Sequence, residues 1–141
     1  MRRLVREDAM RILYATKCEN PQETLDYFIE NLSEEENVCA SKKMTKQECS
    51  FLSDLVLGAC KNREEIDALI ADKLKKWTIT RIPRVNLAIL RLAVFELCFY
   101  DDTPGEIAIN EAVELAKKYS DKEGAPFING VLGAIAEEKN G

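Results

Sequence analysis

From Val85 to Tyr100 the chain reads VNLAILRLAVFELCFY, and only Asn86, Arg91 and Glu96 interrupt the apolar run. Read as one helix from Pro83 to Tyr100, it has no rotation that gives a polar face, and a helix of that kind is enclosed by other helices. At about 1.5 Å per residue it is too short to cross a bilayer, so it is expected to be a buried central helix in a water-soluble core. Arg91 and Glu96 point in different directions from the same helix and cannot neutralise each other along it. Each is predicted to find a partner on another element or to reach water.

Helical spacing recurs on both sides of this run. Val5, Ala9, Ile12, Leu13 and Thr16 form a stripe over about Arg3 to Lys17, with Tyr14 read as core. Asn20-Pro21-Gln22-Glu23 joins a cap residue, a first-turn proline and a glutamate three residues past the cap, and it opens a helix carrying Leu25, Phe28, Ile29 and Leu32. Ser33 to Lys43 is polar and unpatterned, which predicts a flexible loop. Thr45-Lys46-Gln47-Glu48 is a capping box that starts a helix with Leu52, Leu55, Val56 and Ala59 inward. Asn62 is read as the cap of a fourth helix with Ile66, Leu69, Ile70, Leu74 and Trp77 on one side, and Lys73, Lys75 and Lys76 near its C-terminus suit the helix dipole.

After the central helix, Thr103-Pro104-Gly105-Glu106 repeats the start signal, with Thr103 as cap and Glu106 as its reciprocal partner. The helix that follows has the stripe Ala108, Ala112, Leu115, Ala116 and Tyr119. A last helix from about Gly124 to Lys139 stacks Phe127, Val131 and Ile135, with Gly130 and Gly133 read as letting another backbone come close. Asn110 and Asn129 are read as hydrogen-bond ties between helices. No segment alternates as a strand does. The predicted class is all-α, about seven helices in two packed bundles around a buried central helix, divided as residues 1–61 and 62–141.

Composition narrows the chemistry. The 141 residues are 46% hydrophobic, enough to fill such a core, and the net charge of -5 argues against indiscriminate binding to nucleic acid or anionic lipid. Histidine is absent, which removes Ser-His-Asp and Cys-His nucleophiles and the commonest metal ligand. The glycines form neither a dinucleotide fingerprint nor a phosphate-binding loop, and the acidic clusters Glu34 to Glu36 and Asp101-Asp102 read as solvated surface. No catalytic residue, metal site, cofactor, small-molecule substrate or membrane partner is therefore expected. Five cysteines without a C-x-x-C pair read as reduced core thiols of a cytoplasmic protein, and charges at Arg6, Glu7, Asp8 and Arg11 break any signal-peptide core. Arg2, Arg3 and Arg6 sit at the positive end of the first helix dipole, where an anion would offset a few tenths of a kcal/mol each.

Three segments taken together resemble the NusB family of bacterial transcription antitermination factors. They are R-R-x-x-R-E-x-A-x-x-x-L-Y from Arg2 to Tyr14, W-x-x-x-R-I with I-L-R-L-A-x-x-E-L from Trp77 to Leu97, and I-N-E-A-V-E-L-A-K-x-Y with F-I-N-G-V-L from Ile109 to Leu132. The resemblance implies two helical bundles and a non-enzymatic factor that binds single-stranded boxA RNA together with ribosomal protein NusE. The assembly acts on RNA polymerase to promote readthrough, notably in ribosomal RNA operons. It further implies RNA contact by Arg2, Arg3 and Arg6, with Tyr119 and Glu123 near the RNA-facing edge and Lys117, Lys118 and Lys122 extending the basic track. Leu4 departs from relatives that carry an arginine there. The NusE surface falls on Arg81, Asn86, Gly105 and Glu106, with Asn86 replacing an acid of many relatives, and Phe127 reads either as part of it or as core. Two other readings stand beside this one: a helical protein-interaction adaptor without RNA binding, and the accessory RNA-binding domain of an rRNA cytosine methyltransferase. The nine residues after Leu132 leave no room for the latter's cofactor-binding fold.

Overall fold

The computed structural model describes residues 2–16, 18–30, 44–74 and 78–140. Among them are seven α-helices, one short 3-10 turn and no strand: α1 (Arg2–Ala15), α2 (Pro21–Glu30), α3 (Lys46–Lys61), α4 (Arg63–Asp72), the turn Ile79–Arg81, α5 (Arg84–Phe99), α6 (Gly105–Tyr119) and α7 (Gly124–Asn140). None of these helices is long and apolar enough to cross a membrane. The chain divides into two compact units, Met1–Lys61 and Asn62–Gly141. The predictions for the loop Ser33 to Lys43, for Leu32, Cys39 and Trp77, and for Lys75 and Lys76 lie outside the described residues.

In the first unit α1 and α2 both pack on α3. The expected capping box forms in full: the Thr45 N–H donates to Glu48 Oε1 and the Glu48 N–H donates to Thr45 Oγ1, both at 3.1 Å. The bond from the Thr45 backbone holds the Glu48 carboxyl below its usual range. Leu52, Leu55, Val56 and Ala59 are all buried as the spacing requires, and Phe51 joins them. The stripe on α1 is exceeded, because every residue from Val5 to Met10 is buried, Arg6, Glu7 and Asp8 included, and these three charged residues are all partnered. Tyr14 corrects its core assignment at 43% exposed, since it stands roughly 100° round the helix from buried Leu13.

The five cysteines are not uniformly reduced core thiols. Cys18 and Cys60 are joined as a disulfide, while Cys49 and Cys98 are free and only half-buried. Burial raises the Cys98 thiol pKa, against the opposing charge of Lys139. Spacing along the chain could not show the pairing, because the two sulfurs meet only when the turn after α1 folds back on the last turn of α3.

In the second unit α6 packs on both α5 and α7, and α4 packs on α5. From Ala88 to Leu97 every α5 residue except Arg91 is buried, as the unbroken apolar run demands. Both charges find their partners off the helix. Arg91 grips Asp67 of α4 through Nε and Nη2 at 2.8 and 2.9 Å, and buried Glu96 accepts a 2.8 Å bond from the Thr103 hydroxyl.

That second bond corrects the start of α6. Thr103 spends its hydroxyl on Glu96, Pro104 occupies the cap position, and no side-chain cap bond forms, because satisfying a buried carboxylate outweighs one exposed N–H. Asn62 likewise sits at the cap of α4 without a side-chain cap bond. Lys73, expected near the end of α4, follows it as the C-terminal cap residue and pairs with Asp72 and Glu138. We expect Thr103→Val to cost about 1–3 kcal/mol in denaturant unfolding, because Glu96 loses a donor where water cannot replace it. A loss within experimental error would show that the bond carries no net stability.

Three expectations for α6 and α7 fail. A Cβ at Gly130 or Gly133 would meet nothing within 4 Å, so neither permits close approach of a described backbone. Asn110 and Asn129 are exposed and tie no helices together. The α7 core is carried by Ile128 and Leu132, fully buried, alongside Val131 and Ile135, while Phe127 is only half-buried.

Candidate RNA-contacting surfaces

In the first unit the arginine cluster divides by burial. Arg2 and Arg3 are exposed in the first turn of α1, whereas Arg6 is 5% exposed. The Arg2 and Arg6 guanidinium carbons lie 4.2 and 5.3 Å from the Phe51 ring centroid, so α3 supplies an aromatic seat for both. Arg6 is thus a buried cation beneath the first turn, while Arg2 and Arg3 stand open to solvent. Residue type could not separate it from Arg2 and Arg3, because burial follows from packing around α1.

In the second unit a cleft of about 270 Å³ opens where the chain enters α5 and α7. Arg81, Ile82, Pro83 and Asn86 line it from one side, and Asp121, Glu123, Gly124 and Phe127 from the other. The α6–α7 loop is held locally: Asp121 Oδ1 accepts from the Glu123 N–H at 3.1 Å, and the Asp121 carbonyl accepts from the Gly124 N–H at 3.0 Å. Gly124 is required by proximity, since a Cβ there would come within 2.6 Å of the Ser120 Cβ and 3.4 Å of Asn86 Oδ1. Asn86 is 5% exposed and its Oδ1 has no hydrogen-bond partner, an acceptor held away from water beside the cleft.

The chemistry of this lining is lopsided. Asn86 Oδ1, Asp121 and Glu123 are acceptors, Arg81 is the cation, and Phe127 offers an aromatic face. The cleft is therefore poorly suited to phosphate and well suited to a flat group that presents N–H donors. Its volume falls below the roughly 300–1,000 Å³ of small-molecule pockets, which fits one part of a larger ligand.

Residues assigned to separate surfaces by sequence come together here. Arg81, Asn86 and Phe127, expected to face a protein, share the cleft with Glu123, expected to face RNA. Gly105 and Glu106 do not join them: Gly105 lies against Leu97, and from Asn86 to Leu97 along α5 is roughly 16 Å. Tyr119 is half-buried at the end of α6 with the Lys118 ammonium 5.5 Å from its ring centroid, Lys117 lies 3.4 Å from Glu114, and Lys122 is exposed. Sequence reasoning missed Ile82, Pro83, Asp121 and Gly124. The available signal was Asn86 itself, a polar residue inside an otherwise apolar run.

The described elements are all helical, and the cleft they form offers acceptors and an aromatic face, the framework of a helical binding protein. The model of the NusB family matches residues 3–137, and the chain belongs to that family of non-enzymatic antitermination factors. It is 42% identical over 138 residues to transcription antitermination protein NusB of Acetivibrio thermocellus, covering 98% of this chain and 90% of that relative. It is also 42% identical to NusB of Clostridium botulinum strain Kyoto, covering 95% of this chain and 98% of that relative. Among solved structures it resembles T. maritima NusB, with a TM-score of 0.82 at 30% identity, covering 98% of this chain and 92% of that one. It also resembles a chain in the crystal structure of antitermination factors NusB and NusE in complex with dsRNA, with a TM-score of 0.81 at 31% identity, covering 97% and 96%.

Proposed function

We propose that this antitermination factor binds single-stranded boxA RNA together with NusE in the cytoplasm, and that the assembly acts on RNA polymerase to promote readthrough of ribosomal RNA operons. The observation that carries the RNA contact is the buried Asn86 Oδ1, which has no partner beside a cleft that also offers Asp121, Glu123 and Phe127. An unpaired base supplies what that lining lacks: amino or imino N–H groups on its edge and a face for the Phe127 ring. Arg2 and Arg3 supply the complementary part, fork-shaped donors for phosphate oxygens. Gly105 and Glu106, separated from the cleft along α5, remain the NusE candidates, and simultaneous contact raises the effective concentration of RNA and NusE for each other.

The test is a titration of labelled boxA RNA, with and without NusE, at several salt concentrations, with a duplex of the same sequence as a second ligand. Single-stranded RNA is expected to bind more tightly with NusE present and to weaken as salt rises. The double variant Arg2→Ala/Arg3→Ala is expected to flatten the log–log salt slope by about 1.4, the share of two phosphates on a single strand. An unchanged slope removes the arginines from the site. Duplex binding equal to single-strand binding would overturn the base-in-cleft reading, and no binding of either RNA would leave an adaptor that works through protein contacts.

A further inference from the structure

We propose that Cys18 and Cys60 form a reversible thiol–disulfide latch that fixes the arginine-bearing helix α1 on α3. Cys18 lies just beyond α1 and Cys60 in the last turn of α3, 42 residues apart in sequence with their Cα atoms 5.3 Å apart, inside the range that a disulfide spans. At the other end of the same helix pair, Arg2 and Arg6 sit over Phe51. The two helices therefore run side by side, held by ring contacts at their starts and by sulfur at their ends.

The backbone of Cys18 gives an independent reason to read the cysteine as chosen for its sulfur. Its φ is 62°, a left-handed conformation that glycine or asparagine adopts most readily, and it is the only non-glycine residue with positive φ among those described. Such a conformation persists where its surroundings over-determine it. Here the Cys18 N–H donates to Thr16 Oγ1 at 3.2 Å while the side chain reaches Cys60. Both cysteines are half-buried, so a small thiol or disulfide can reach them.

The latch closes by exchange with a low-molecular-weight disulfide such as oxidised glutathione. One cysteine thiolate attacks a sulfur of that disulfide, forming a mixed disulfide and releasing one thiol. The second thiolate then attacks the protein-bound sulfur, forming Cys18–Cys60 and releasing the other thiol. Two protein thiols are oxidised, one small disulfide is reduced to two thiols, and the reverse exchange opens the latch.

The full-length protein is equilibrated in glutathione buffers from fully reduced to fully oxidised, with thiol counting, peptide mapping of the cross-link and thermal unfolding as readouts. We expect a single Cys18–Cys60 link that forms and reverses with the buffer, and a thermal midpoint higher by roughly 10 °C when it is closed, because closing a loop of this length constrains the unfolded chain. Cys60→Ser and Cys18→Ser should each abolish the shift, whereas Cys98→Ser should leave it intact. Failure of the link to form, a link to another cysteine, or a link without a midpoint shift would each overturn the proposal. These readouts do not depend on RNA, so they stand or fall apart from the function proposed above.

Discussion

Leu92→Ala is expected to lower the unfolding free energy of the Asn62–Gly141 unit by about 2–5 kcal/mol, read from denaturant unfolding. Leu92 is 2% exposed near the middle of α5, a helix packed on α4, α6 and α7, so the missing carbons leave a void that three neighbours cannot all move to fill. The expected loss includes both the transfer free energy of the deleted groups and the cavity left behind. A loss under about 1 kcal/mol would mean that α5 is not the enclosed core of its unit.

The second large effect separates stability from binding. Asn86→Leu is expected to leave the unfolding free energy unchanged or raised by up to about 1 kcal/mol, because it removes a buried acceptor that has no donor. The same change is expected to weaken RNA binding roughly tenfold or more, because a base seated in the cleft would lose its partner where water cannot substitute. A residue that costs stability in the free protein and repays it in the complex is a hallmark of a binding site. If Asn86→Leu destabilises the fold and leaves RNA affinity untouched, Asn86 is a structural residue and the cleft loses its main argument.

How far this was legible from the chain differs residue by residue. The Thr45 to Glu48 capping box was readable because its partners lie three residues apart and its geometry is local. The similar Thr103 to Glu106 pattern misled, because Glu96, seven residues upstream on another element, competed for the same hydroxyl and won by being buried. Phe127 fell on a plausible core stripe, yet Ile128 took the core and Phe127 turned to the cleft, a difference of one position in how α7 rolls against its neighbours. Arg2, Arg3 and Arg6 looked alike as charges, and burial in the packing around α1 set Arg6 apart, although Arg2 shares the Phe51 ring with it.

What the order of residues determined alone is the helical class, the buried character of α5 and the requirement that Arg91 and Glu96 be answered from elsewhere, since periodicity and the cost of burying charge act within a segment. What the tertiary structure decided is which groups answer them, which cysteines join, and that Asn86, Glu123 and Phe127 share one cleft. Those outcomes depend on distances between residues far apart in the chain, and such distances exist only once the helices have packed.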